Sequence, residues 1–208
     1  MERNPRRSSM SRFPILALLL LVACGPSNRV ERRNDAPGCN RGDPNAPVRL
    51  EVFSDYECPS CRAFYLQTVK LVFTNYADTG KVCVIYREFP TYEHSREAAR
   101  LARAALRLGP AQWGLVAEAL YQSQPDWSKT GQAEAVVASV LGPEDFAAVR
   151  KHLQDPTLDA IVDDDAVMGL RREVKGTPTS FITARGKTEK VDGALTYASM
   201  QRHLDALF

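Results

Sequence analysis

The chain of 208 residues carries 27 Lys and Arg against 25 Asp and Glu, a formal net charge of +2. Four of the basic and one of the acidic residues lie in 1–23, leaving 23 and 24 in the remainder. So even a balance offers no electrostatic footprint for nucleic acid, and the length suits one sizeable domain or a domain with an insertion.

Residues 1–23 hold arginines at 3, 6, 7 and 12, followed by an apolar run from Phe13 to Ala23. A basic start, a short apolar stretch and a small residue before the break predict a secretory signal; the run is too short to span a bilayer. Leu21-Val22-Ala23-Cys24 resembles a bacterial lipobox, in which Cys24 is lipidated and becomes the mature N-terminus; an ordinary signal peptide cleaved nearby is the alternative. Export puts the remainder where disulfides form and persist. Residues 24–42 are polar, punctuated by Pro and Gly, and predict a flexible tether to a domain over 43–208.

Val48 to Phe53, "VRLEVF", alternates, is rich in β-formers and follows Pro44 and Pro47, which predicts a strand. Pro59 then suits the first turn of a helix, "PSCRAFYLQTVKLVFTNY", with Phe64, Val69, Val72 and Phe73 able to face a core. "KVCVIYREF", Lys81 to Phe89, predicts a second strand, closed by Pro90. Strand, helix, strand is the order of a parallel βαβ unit.

From about 95 to 174 the pattern is helical. "REAARLARAALRL" stops at Gly109-Pro110, "AQWGLVAEALYQSQ" at Pro125, "KTGQAEAVVASVL" at Gly142, and "PEDFAAVRKHLQ" opens on Pro143. With a last helix from Thr157 to Val174, four or five consecutive helices are expected. "TSFIT" and "KTEKVDG" predict two strands joined at Ala184-Arg185-Gly186, and "TYASMQRHLDALF" an amphipathic closing helix. The fold class is therefore α/β, one sheet with an inserted helical block.

Cys58 and Cys61 stand two residues apart directly behind the first strand, with Pro59 and Ser60 between them. A tetrahedral zinc site needs four ligands, whereas His94, His152 and His203 are scattered and Cys39 and Cys83 form no second clip, so no metal is expected. A merely structural bridge across so small a loop would stabilise little. A redox pair has a mechanism. At a helix N-terminus, unpaired N–H groups and the macrodipole favour the Cys58 thiolate, and Cys61, one turn on, can resolve a mixed disulfide.

"GDPNAPVRLEVFSDYECPSC", "REFP" and "GTPT" together resemble the DsbA-like branch of the thioredoxin superfamily, a thioredoxin fold with an inserted all-helical subdomain, over nearly the whole chain after residue 42. The resemblance implies that Cys58 is the exposed nucleophile, Cys61 the resolving thiol, and Pro178 a cis-proline packed beside them. Thr177 would then offer its backbone to an extended substrate, a form of strand addition. Glu51 is similar to a buried acid that many members use for proton transfer near the resolving cysteine, with a solvent-facing strand position as the alternative and Lys81 as a conceivable partner.

Cys39 precedes the first strand, where a short edge strand beside the second is typical of this fold, so a structural Cys39–Cys83 disulfide is expected; the alternative is a buried free Cys83 and a mobile Cys39. No organic cofactor is implied. The expected protein is an extracytoplasmic thiol–disulfide oxidoreductase, lipid-anchored to a bacterial membrane and facing the periplasm or cell exterior. Its partners would be cysteine-containing exported proteins and a redox partner that resets the pair. The short tether leaves no room for an added dimerisation domain, so a monomer is expected. A disulfide donor is the first reading. The Pro59-Ser60 dipeptide lacks the histidine of strongly oxidising CPHC members, so a reductase is the second, and a non-catalytic binding lipoprotein the rival from another class. Asp163, Asp164 and Asp165 read as a solvated helix face, His94 as a surface or capping residue, and Trp113 and Trp127 as core.

Overall fold

The structure is a computed structural model and describes residues 1–2 and 38–208. The signal-like run, Cys24 and the tether as far as residue 37 lie outside the described residues.

Strands β1 (Val48–Ser54), β2 (Val82–Glu88), β3 (Thr179–Ala184) and β4 (Lys187–Asp192) form one sheet in the order β2-β1-β3-β4. β1 runs parallel to β2, with Val48 opposite Val82 and Ser54 opposite Glu88, and antiparallel to β3. Every residue of β2 is buried, which is why its sequence is a nearly unbroken apolar run where an alternating one would suit a half-exposed strand. β4, with Lys187, Glu189 and Lys190 on show, is a charged edge that discourages pairing with another chain.

The other edge is covered from outside the sheet. Residues 39–41, read from sequence as tether, are docked on β2. Arg41 bridges to Val84, Asn40 donates its N–H to the Val84 carbonyl at 2.8 Å, and the Asn40 Oδ1 accepts from the Tyr86 N–H at 2.8 Å. Cys39 is joined to Cys83 in a disulfide spanning 44 positions. The folded domain thus begins before residue 43, because an otherwise open strand edge is satisfied by this segment. Closing a loop of this length stabilises by about 4 kcal/mol in the chain-entropy model. The Cys39→Ser/Cys83→Ser double variant is therefore expected to lower the unfolding free energy by an amount of that order, read from the midpoint and slope of urea unfolding, and an unchanged midpoint would remove the staple's role.

Helix α1 (Pro59–Phe64) continues through a π-helical turn (Tyr65–Val69), a short α2 (Lys70–Val72) and a second π-helical turn (Phe73–Ala77). The widened turns bring Tyr65, Thr68 and Val69, then Phe73, Tyr76 and Ala77, into the core. Between β2 and β3 lie α3 (Ser95–Leu106), α4 (Pro110–Gln122), α5 (Gln124–Thr130), α6 (Ala133–Val140), α7 (Pro143–His152) and α8 (Thr157–Arg171). These are six helices where four or five were expected. Pro125 does not end the helix before it; it sits in the first turn of α5, where its missing N–H costs nothing, and Gly131 at φ 71° closes that helix. Helix α9 (Tyr197–Asp205) closes the chain, capped by Thr196 Oγ1 accepting from the Ser199 N–H at 3.2 Å.

Trp113 and Trp127 are buried, as core residues should be. The aspartate run departs from the expectation of a solvated face. Asp163 pairs with Arg96 at the surface, whereas Asp165 is buried between α8, α3 and β2, accepting from Arg87, Arg103 and the Glu88 N–H. A helix laid on the sheet turns one of three consecutive residues inward, and here that residue meets two guanidinium groups.

Candidate active site

β1 ends at Ser54 and the chain turns through Asp55 before α1 begins. The Asp55 carbonyl accepts the Cys58 N–H at 3.2 Å. Its carboxylate accepts from the Glu57 N–H at 2.8 Å and the Ser95 hydroxyl at 2.6 Å on one oxygen, and from the Thr91 N–H and hydroxyl at 2.6 and 2.9 Å on the other. Asp55 therefore ties the approach to the cysteines to the loop after β2, and sequence reasoning passed it over. Gln124 on α5 adds a brace from the helical block, donating to the carbonyls of Tyr56 at 2.7 Å and Cys58 at 3.0 Å.

Cys58 occupies the N-cap of α1 in extended conformation, and its Sγ accepts the Cys61 N–H at 3.4 Å. Pro59 takes the first helical position and, with Ser60, is exposed. As a thiol, Cys58 donates to the Thr177 carbonyl at 3.3 Å across 119 positions of sequence. The Thr177–Pro178 bond is cis. Both thiols are free, Cys58 5% exposed and Cys61 1%. So the structure brings Cys58, Cys61, Pro59, Ser60 and Thr177, with Pro178 next to it, to one place.

The two sulfurs are electrostatically unlike. Hydrogen bonding from the Cys61 thiol lowers the Cys58 pKa to about 6; burial opposes this, and Thr177 and the amides of Cys61 and Ser60 assist it. Burial pushes the Cys61 thiol far up, and the neighbouring Cys58 adds to the rise. One sulfur is thus a thiolate near neutral pH and the other holds its proton.

Glu51 is not beneath the pair. Leu50 and Val52, on the opposite face of β1, pack in the cluster that contains Cys58 and Cys61, while Glu51 is held by Arg87 at 2.8 Å and Arg172 at 2.9 Å. The strand's two-residue period decides this. Burial disfavours ionisation of Glu51, but the two arginines outweigh it and hold its carboxyl below the usual range. Lys81 lies over the ring of Phe208, 5.6 Å from its centroid, and is not paired with Glu51. His94 contributes its backbone N–H to Glu57 at 2.7 Å and makes no side-chain cap of α3. Among the described residues no three His, Cys, Asp or Glu side chains converge as metal ligands, and no helix is long and apolar enough to cross a membrane.

A family model described as thioredoxin matches residues 35–206. Disulfide bond formation protein D of Bacillus subtilis is 25% identical over 171 residues, covering 75% of this chain and 76% of that protein. The crystal structure of Wolbachia pipientis alpha-DsbA1 is similar with a TM-score of 0.66 at 22% identity, covering 80% of this chain and 88% of that one. Oxidised BdbD from Bacillus subtilis is similar with a TM-score of 0.66 at 21% identity, covering 82% of this chain and 96% of that one.

Proposed function

The chain belongs to the thioredoxin superfamily in its DsbA-like form, and on that premise we propose that it is an extracytoplasmic thiol–disulfide oxidoreductase that donates its Cys58–Cys61 disulfide to exported proteins. The observation that carries this is the inequality of the two sulfurs, a stabilised thiolate at Cys58 and a buried, protonated Cys61. A substrate thiolate attacks the Cys58 sulfur of the enzyme disulfide, Cys61 leaves with the electron pair, and a second substrate thiol releases the oxidised product. Thr177 supports this reading, since its carbonyl reaches the Cys58 sulfur and its backbone is the edge an extended substrate would join beside Pro178. Pro59 and Ser60, exposed between the sulfurs, face the incoming chain. Names of the relatives that refer to disulfide bond formation point the same way.

The thiolate supports the donor direction. Whatever stabilises Cys58 as a thiolate stabilises the reduced enzyme and makes its disulfide easier to reduce. Equilibration of the Cys58–Cys61 couple with glutathione tests this, with Cys39 and Cys83 tracked separately. A potential towards about −120 mV identifies a donor, and one near about −270 mV a reductase fed by an electron carrier. Absence of any reversible couple would turn the reading to a binding protein. In this reading the chain is exported, anchored through a lipid on Cys24, monomeric, free of metal and organic cofactor, and reset by a redox partner; the mass of the mature N-terminus checks the anchor.

A further inference from the structure

Away from the cysteines, the helical segment from Tyr65 to Ala77 and helix α4 part to leave a cleft of about 400 Å³. None of its lining residues belongs to the redox site. The two π-helical turns supply Tyr65 and Phe73 and α4 supplies Trp113, three buried aromatic residues set edge to face. The Phe73 ring lies 6.0 Å from Tyr65 and 6.1 Å from Trp113 between centroids. Such a volume and such a lining suit a small organic molecule.

Two features of this cleft have no use inside the protein. The Tyr65 ring stacks on Tyr121 at 4.7 Å between centroids and is 2% exposed, yet its hydroxyl has no hydrogen-bond partner among the described residues and feels Arg41 and Glu118 at the rim. Burial, with Glu118 adding and Arg41 opposing, holds this phenol above its ordinary value, so it stays a donor at any working pH. Gly114 stands within α4, where glycine is the poorest helix former after proline. A Cβ at Gly114 meets no described atom within 4 Å beyond its chain neighbours and the helix backbone. Packing therefore does not demand a glycine there, and the space it leaves opens into the cleft, where a ligand can approach the backbone.

The rim sets the charge of the guest. Lys70 pairs with Glu118 at 2.6 Å and Arg41 with Asp78 at 2.8 Å, so each cation is already answered by a carboxylate. We propose that the cleft binds a small uncharged aromatic molecule carrying a carbonyl group, its ring over the Gly114 backbone and its oxygen accepting from the Tyr65 hydroxyl. Such a guest gains aromatic contacts from Phe73 and Trp113, and its carbonyl satisfies a donor that the fold leaves unused. The cleft and the cysteine pair share no side chain, so either assignment can fail without the other.

Acetophenone is the probe, titrated into the isotope-labelled protein and followed by nuclear magnetic resonance of the backbone amides. Saturable shifts at Gly114 and around Tyr65 are expected, with a dissociation constant near about 1 mM, ordinary for a ligand of so few atoms. Gly114→Leu puts a side chain into the cleft from a position where a Cβ displaces nothing. It should weaken binding at least about tenfold and leave the urea midpoint no lower. Tyr65→Phe should weaken acetophenone about fivefold, the worth of one hydrogen bond, and leave toluene, which has no carbonyl, unaffected. Should Gly114→Leu not fold, the Tyr65→Phe comparison decides alone. Benzoate or benzylamine bound more tightly than acetophenone would overturn the proposal, since a charged guest would then be preferred. Shifts that do not saturate or that lie elsewhere, or binding unweakened in folded Gly114→Leu, overturn it equally.

Discussion

Replacing Cys61 with serine is expected to stop exchange half-way and accumulate covalent adducts at Cys58, whereas Cys58→Ser should yield no adduct and no turnover. The reason is the asymmetry of the pair. Cys58 is the sulfur within reach of the Thr177 carbonyl and the one with a lowered pKa, so it alone can meet an incoming disulfide as a thiolate. Cys61 is almost wholly enclosed and its thiol is raised, so its competence depends on being delivered to Cys58 one helical turn away. Serine in its place is nearly isosteric, but an alkoxide neither forms at working pH nor cleaves a disulfide. Turnover should fall by at least about a thousandfold in both variants, in keeping with loss of the covalent nucleophile or its resolver. Non-reducing electrophoresis and mass mapping after expression of each variant separate the outcomes. Adducts of Cys58→Ser through Cys61, or turnover retained in either protein, would reverse the roles given to the two sulfurs.

The part of this site that lies along the chain was legible in the sequence. Alternation in "VRLEVF", Pro59 at a first-turn position and the CxxC spacing are local, and local rules place a thiol at a helix start. Contacts made across the sheet were not. Glu51 and Glu88 are both acids in strands near the cysteines, and only the pairing of Ser54 with Glu88, together with the two-residue alternation of β1, decides which one shares the cysteine face. Likewise Asp165 looked like one of three solvated aspartates until α8 was laid on β2, where it meets Arg87 and Arg103. Pro125 misled for a different reason: a proline that ends one helix and one that begins the next obey the same rule, and a single intervening residue, Ser123, separates α4 from α5.

The buried charges also say why the helical block and the sheet act as one body. Arg87 reaches from β2 to Glu51 on β1 and Asp165 on α8, Arg103 of α3 lies against Glu88 and Asp165, and Arg172 ties the end of α8 back to Glu51. Such pairs contribute little net stability when complete, yet removal of one partner leaves a buried charge that costs several kcal/mol. Arg172 also lies 3.6 Å from the centroid of the Phe181 ring, so the segment leading to Thr177 and Pro178 starts from a fixed point on β3.

Titration of the reduced protein is expected to reveal a thiolate absorbance with a midpoint near 6, absent in Cys58→Ser. The Cys61 thiol donating to the Cys58 sulfur contributes most, burial opposes it, and the start of α1 supplies the Cys61 and Ser60 amides. An unfolded cysteine titrates near about 8.5, so the folded-state value is the depressed one. The resulting stability is therefore fully present above about 8.5, declines as pH falls, and is lost through about 6. Only the reduced protein has this thiolate. The reduced form should consequently gain stability relative to the disulfide form between pH 5 and pH 8, read as diverging urea midpoints, and the couple should become a stronger oxidant than an unperturbed dithiol over that range. A midpoint near 8.5, or urea midpoints of the two forms that move in parallel with pH, would remove the thiolate as the source of the driving force and with it the argument for a disulfide donor.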